Sequence, residues 1–146
     1  VIGNANKSLL DSKDDRLKAS LYILEFGKDQ VFEADFLYKE GLDLFDKKDF
    51  VNAADRFKRA AELNPLELPY FENAANAYLQ YSNYEKAIEM ADYVIDNETK
   101  PTGKAHYIKA FVFIEQGNKL RACRLLSVSA GYGFGGATNL SRAYCR

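Results

Sequence analysis

Tryptophan is absent from this chain, histidine occurs once and cysteine twice. Each scarcity removes a class of protein. A single histidine, His106, with no cysteine pair at ligand spacing, cannot supply the imidazole and thiolate clusters that hold zinc. Two cysteines, Cys123 and Cys145, are too few for a small disulfide-framed fold. The histidine lies in a different predicted element from either cysteine, so no nucleophile has a base held by a third group, and no enzyme is expected. No stretch approaches the roughly 20 apolar residues of a membrane-spanning helix, so no membrane insertion is expected. An excess of one charge is lacking too. The formal net charge is −1, and the lysines and arginines read as scattered among acids on polar helix faces, which argues against a nucleic-acid surface. Nor is there a phosphate-binding loop. Residues 131–136 place four glycines around Tyr132 and Phe134, but without a preceding strand or a nucleotide-loop lysine they read as a loop between helices. No cofactor and no metal are expected.

What remains is an ordinary balance, 47% hydrophobic and 28% charged over 146 residues, enough for one domain with a real core. The chain starts at Val1, which reads as a processed or trimmed product whose targeting signal is out of view. Export and cytoplasmic residence both stay open.

Against these absences stands a lattice. Ala19, Ala53 and Ala87 are 34 residues apart, and Ala122 follows one residue off that spacing. Leu10, Leu44 and Tyr78 keep the same interval, as do Ile23, Phe57 and Ala91, with Phe113 and Leu126 again one residue late. A fixed period of this length marks stacked helical repeats. Within each period, apolar residues recur at three- and four-residue steps on two successive helices. Phe36, Leu37, Gly41, Leu44 and Phe45 form a first face, and Phe50, Ala53, Ala54, Phe57, Ala60 and Ala61 a second. Asn64-Pro65 stops that second helix, because proline disfavours helix in the residue before it. Tyr70 to Leu79 and Tyr84 to Ile95 repeat the hairpin, as do Tyr107 to Ile114 and Leu120 to Leu126.

The residue types at this period resemble the tetratricopeptide repeat: Leu37, Glu40-Gly41, Leu44, Ala53, Phe57, Ala60 and Pro65; then Phe71, Ala74-Ala75, Tyr78, Ala87, Ala91 and Val94; then His106, Lys109-Ala110, Phe113, Ala122 and Leu126. The resemblance implies an all-α superhelix of stacked antiparallel hairpins forming one domain over 1–146. It would comprise a degenerate hairpin at 1–33, repeats at 34–67, 68–102 and 103–130, and a capping helix at 137–146. Gly41, Ala75 and Ala110 are then the points of closest helix approach, and His106 takes a packing position. The tail, from Gly117-Asn118 through Ala122-Cys123 to Tyr144-Cys145, is similar to the endings of bacterial proteins of this kind. In this register Cys123 lies on the last repeat and Cys145 on the cap. They are either a disulfide that staples the cap or two reduced, buried thiols.

The resemblance also implies a function. In this family the first helices line a concave groove that holds an extended peptide or a helix. By position the groove would present Asp35, Tyr38, Leu42, Phe45 and Asp46, then Glu72, Asn76, Leu79 and Gln80, then Lys104, Tyr107, Phe111, Ile114 and Glu115. Tyr38, Tyr107 and Phe111 are the candidate anchors, since aromatic rings bury large area at low entropic cost. Acids outnumber bases among these residues, so the expected partner is a protein or peptide with apolar residues and some positive charge. The alternative is a structural spacer or dimerisation segment of a larger protein. Some members grip a chaperone's C-terminal carboxylate through lysine, asparagine and arginine. Tyr38 and Leu42 stand at the corresponding early positions here, which speaks against that grip.

Overall fold

The structure, a computed structural model, describes residues 20, 21, 23, 24 and 27–146. Most of the segment read as a degenerate hairpin, including Leu10 and Ala19 of the lattice, lies outside the described residues. Within residues 27–146, seven helices follow one another: α1 (Lys28–Asp46), α2 (Phe50–Leu63), α3 (Leu68–Gln80), α4 (Tyr84–Asn97), α5 (Lys104–Glu115), α6 (Lys119–Gly131) and α7 (Gly135–Tyr144). Each packs on the next, and α3 also touches α5. The helices thus pair as three stacked hairpins closed by α7.

One local device builds all three hairpins. Two residues beyond each first helix stands a residue with positive φ, namely Lys48, Ser82 or Gly117 (61°, 65° and 74°). The next residue's amide then donates back to a carbonyl five residues earlier: Asp49 to Leu44, Asn83 to Tyr78 and Asn118 to Phe113, at 2.8–2.9 Å. The same Asp49, Asn83 and Asn118 cap the second helix, their side chains accepting from the amides of Asn52, Lys86 and Arg121. This capping lattice runs in register with the alanines.

Packing follows from size. Ala53, Ala74, Ala75, Ala87, Ala91, Ala110 and Ala122 are wholly buried, as is Phe57. A Cβ at Gly41 would lie 2.7 Å from the Phe57 ring, so only glycine lets α1 close on α2 at that point. One apolar cluster runs from Ala34 through the alanines to Val112, with Phe71 stacked on Tyr93 at 3.9 Å. A separate, smaller cluster joins Ala110, Leu126 and Ala137.

Two expectations need correction. The loop read at 131–136 shrinks to residues 132–134, because α6 runs to Gly131 and α7 begins at Gly135. A turn with Gly133 at φ 90° reverses the chain, and the Phe134 amide bonds back to the Ser129 carbonyl. The lattice also fails at its described N-terminal member. Ile23 is 45% exposed, whereas Phe57, Ala91 and Leu126 are buried completely.

Candidate partner-binding surface

Of the first helices, α3 and α5 touch directly. The residues proposed for the groove do not all present themselves alike. Tyr38 is half-buried. Its ring packs 4.6 Å from Tyr70 and 5.7 Å from Phe57, and its hydroxyl accepts from Asn73 Nδ2 at 3.1 Å. Burial holds its hydroxyl above the ordinary phenol range against that bond, and the nearby charges of Glu67, Glu72 and Asp35 push the same way. Three acids, Asp35, Glu67 and Glu72, thus lie near enough to act on Tyr38. Asp35 reaches Lys39 at 2.9 Å on the helix surface.

Glu72 on α3 is half-buried. Burial raises its carboxyl above the ordinary range, and the charge of Lys104 partly offsets this. Glu98, in the loop before α5, is raised by its own burial and then by the charge of Glu72, and its Oε1 is buried without a hydrogen-bond partner among the described residues. Along α3, Gln80 Nε2 donates to Asn76 Oδ1 at 3.1 Å. Leu42 is 38% exposed, and Asp46 and Glu115 are exposed.

The third hairpin brings Tyr107 and Phe111 together edge to face at 5.0 Å. Tyr107 also packs 4.8 Å from Phe134, so its ring is shared with the turn that leads into α7. Phe45 is engaged edge to face with Phe50 at 5.0 Å. Of the residues expected at the groove, Leu42, Asp46, Gln80 and Glu115 are the more open, with the aromatic rings set deeper between helices.

Away from the groove, Cys123 and Cys145 are joined as a disulfide with Cα atoms 5.8 Å apart, tying α6 to the residue that ends α7. His106 is half-buried, 5.5 Å from the Tyr132 ring, with Nδ1 unpartnered among the described residues. Burial lowers its pKa first, then the charge of Lys109, with Asp92 opposing. Among the described residues, no three histidines, cysteines or acids gather where a metal ion could be held, and no helix is long and apolar enough to cross a membrane.

The architecture is that of a tetratricopeptide-repeat solenoid. It overlays the Arabidopsis OM64 TPR domain with a TM-score of 0.72 at 15% identity, covering 79% of this chain and 96% of that one. It overlays the N-terminal domain of stress-induced protein-1 (STI-1) from C. elegans with a TM-score of 0.69 at 16% identity, covering 82% and 99%. Sequence similarity points the same way. The chain is 31% identical over 58 residues to the Hsp70-Hsp90 organising protein of Plasmodium falciparum (isolate 3D7) and 35% identical over 57 residues to Hsp70-Hsp90 organizing protein 3 of Arabidopsis thaliana. These matches span 40% and 39% of this chain but only 10% of either relative. No family model matches. The tetratricopeptide reading is supported by both kinds of likeness. A bacterial character, read from the tail, is not supported by relatives from a plant and Plasmodium.

Proposed function

We propose that this chain is a non-enzymatic protein-interaction module that holds an extended peptide or a helix of its partner against α1, α3 and α5. The observation that carries this is the acidic surround of Tyr38, with Asp35, Glu67 and Glu72 all acting on one half-exposed aromatic ring. The exposed Leu42 and Asp46 lie further along the same helix. This surface suits an apolar residue flanked by positive charge. The chaperone partners in the relatives' names are not carried over, because the groove offers a tyrosine and a leucine where a carboxylate grip needs cations. Titration by fluorescence anisotropy with labelled basic-apolar peptides tests the reading. Glu72→Lys together with Asp46→Lys should weaken binding about tenfold or more, since rim charges set complementarity. Equal binding by this variant overturns the groove assignment.

A second reading, a stacking or dimer surface, has its own observation. Phe36 holds the repeat position of Tyr70 and Ala105, which the preceding hairpin covers, yet it is 66% exposed against their 5% and 1%. Phe32, one turn earlier, is 58% exposed. A second copy of the chain packed on this pair predicts a mass that rises with concentration in light scattering and falls back for Phe32→Ser with Phe36→Ser.

A further inference from the structure

A cleft of about 260 Å³ opens on the third hairpin, lined by Lys109 and Phe113 of α5 and by Arg121, Arg124 and Leu125 of α6. It lies between the two helices of one hairpin, apart from the surface where α3 meets α5. Helical spacing assembles it. Lys109 and Phe113 are four residues apart on α5, while Arg121, Arg124 and Leu125 share one face of α6 at three- and four-residue steps. The floor is apolar and the walls are cationic. The Arg121 guanidinium lies 5.5 Å over the Phe113 ring, which supports its plane and leaves its N–H edge to be used. Lys109 Nζ pairs with Asp92 Oδ1 at 2.6 Å from the neighbouring hairpin. Among the described residues neither Arg121 nor Arg124 pairs with a carboxylate.

Along the chain that follows α5, charge has the same sign. From Gln116 to Arg146 the sequence carries Lys119, Arg121, Arg124, Arg142 and Arg146 and no aspartate or glutamate. The first turn of α6 has no acid either, so its helix dipole adds to the field there. From Lys28 to Glu98, by contrast, acids outnumber bases. The near-zero net charge hides a molecule with an acidic body and a basic end.

We propose that this cleft is a second recognition site, which binds an acidic peptide segment by seating an apolar side chain on Phe113 and Leu125 and pairing its carboxylates with Arg121 and Arg124. Two guanidiniums with free N–H edges suit carboxylates bidentately, and the apolar floor gives a place for a side chain that a bare inorganic anion would leave empty. A nucleic-acid strand fits less well. Its backbone needs an extended basic track, whereas Asp92 stands at one wall of this cleft.

The test uses the intact chain and two fluorescein-labelled hexapeptides, Glu-Glu-Leu-Leu-Glu-Glu and its lysine counterpart, followed by anisotropy. The acidic peptide should bind, more weakly as salt rises. Arg121→Glu with Arg124→Glu should weaken it about tenfold or more, whereas Asp92→Asn, which frees Lys109, should strengthen it. Far-ultraviolet circular dichroism of each variant checks the fold, and Arg121→Lys with Arg124→Lys keeps the charge but removes the fork, so it should recover only part of the affinity. The groove variant with lysines at positions 46 and 72 should leave this binding unchanged, so failure of the concave-face reading and failure of this one are told apart. Absence of acidic-peptide binding at millimolar concentration, equal binding by the Arg121→Glu, Arg124→Glu variant, or tighter binding of a single-stranded oligonucleotide than of the peptide would each overturn the proposal.

Discussion

Phe57 and Leu126 hold the same repeat position in the first and third hairpins, and both are completely buried. Their surroundings differ. Phe57 sits in a continuous cluster that runs from Ala34 to Val112, fed by buried residues from every helix of α1 to α5. Leu126 shares a smaller buried cluster with Ala110 and Ala137, walled by half-buried side chains such as Tyr107, Phe134 and Tyr144. This smaller cluster gives the third hairpin less buried apolar area to rely on. The hairpin is tied instead by specific bonds. The Cys123–Cys145 disulfide closes over α7, and Ser129 Oγ donates to the Gly103 carbonyl at 2.6 Å in a buried site. A Cβ at Gly103 would meet the Ser129 carbonyl at 2.6 Å, so this contact also fixes glycine at the start of α5.

The largest effect expected on this contrast comes from Phe57→Ala. Deleting a fully buried phenylalanine costs about 3–5 kcal/mol, a large share of the roughly 5–15 kcal/mol that holds a domain together. Urea denaturation should show that loss, and hydrogen exchange should show protection falling from α1 through α4. Leu126→Ala removes a comparable apolar volume, for about 2–5 kcal/mol, but its exchange should rise chiefly in α5, α6 and α7. If both variants loosen the whole chain equally, the two clusters are one cooperative unit and the contrast breaks.

The part of this division that sequence reveals is the part made by repetition. Ala53, Ala87 and Ala122 mark close approach because only a small side chain fits there, and any residue under that constraint shows in the spacing. Gly41 is legible for the same reason. The groove is less so, since exposure at a first-helix position depends on the neighbouring repeat. Tyr107 looks like a free anchor until Phe134, from a turn outside the repeat pattern, is seen against it. The basic cleft was hidden by an interspersed-looking charge pattern. Lys109 is neutralised across hairpins by Asp92, and nothing in local order shows that Arg121 and Arg124 have no such partner. Ile23 keeps the interval yet is 45% exposed, so periodicity alone does not secure burial.

Intermediate effects probe the ties at the C-terminal end. Cys145→Ser should cost about 2–4 kcal/mol, the range for a cross-link closing a loop of this size. The loss should appear as faster exchange in α7 and the end of α6, with α2 to α4 unchanged. Loosening that spreads evenly over the chain would mean that the cross-link does more than hold the cap. Ser129→Ala removes one of the two donors to the Gly103 carbonyl, which keeps the Tyr107 amide, for about 0.5–1.5 kcal/mol. Thermal denaturation should register it, and Ser129→Thr, which keeps the hydroxyl, should recover less than full stability because the Gly103 contact leaves little room for a methyl group.

The smallest effect sets the two regions against each other by pH. Burial raises the Glu72 carboxyl above its ordinary value of 4.5, so the folded chain keeps that proton to higher pH than the unfolded chain does. The unfavourable charge is absent below about 4.5 and builds as pH rises through the raised folded value. Burial lowers His106 below its ordinary 6.5, so the unfolded chain takes up that proton first. Stability from this group is intact above about 6.5 and is lost as pH falls through the lowered folded value. Acidification therefore favours the middle of the stack at Glu72 and disfavours the C-terminal end at His106. Melting temperatures should show Glu72→Gln stabilising at neutral pH, with a gain that shrinks toward pH 4. His106→Asn should instead improve on the parent only as pH falls below about 6.5. A Glu72→Gln difference that does not vary with pH would trace its effect to packing rather than to the buried charge, because only ionisation couples the side chain to protons.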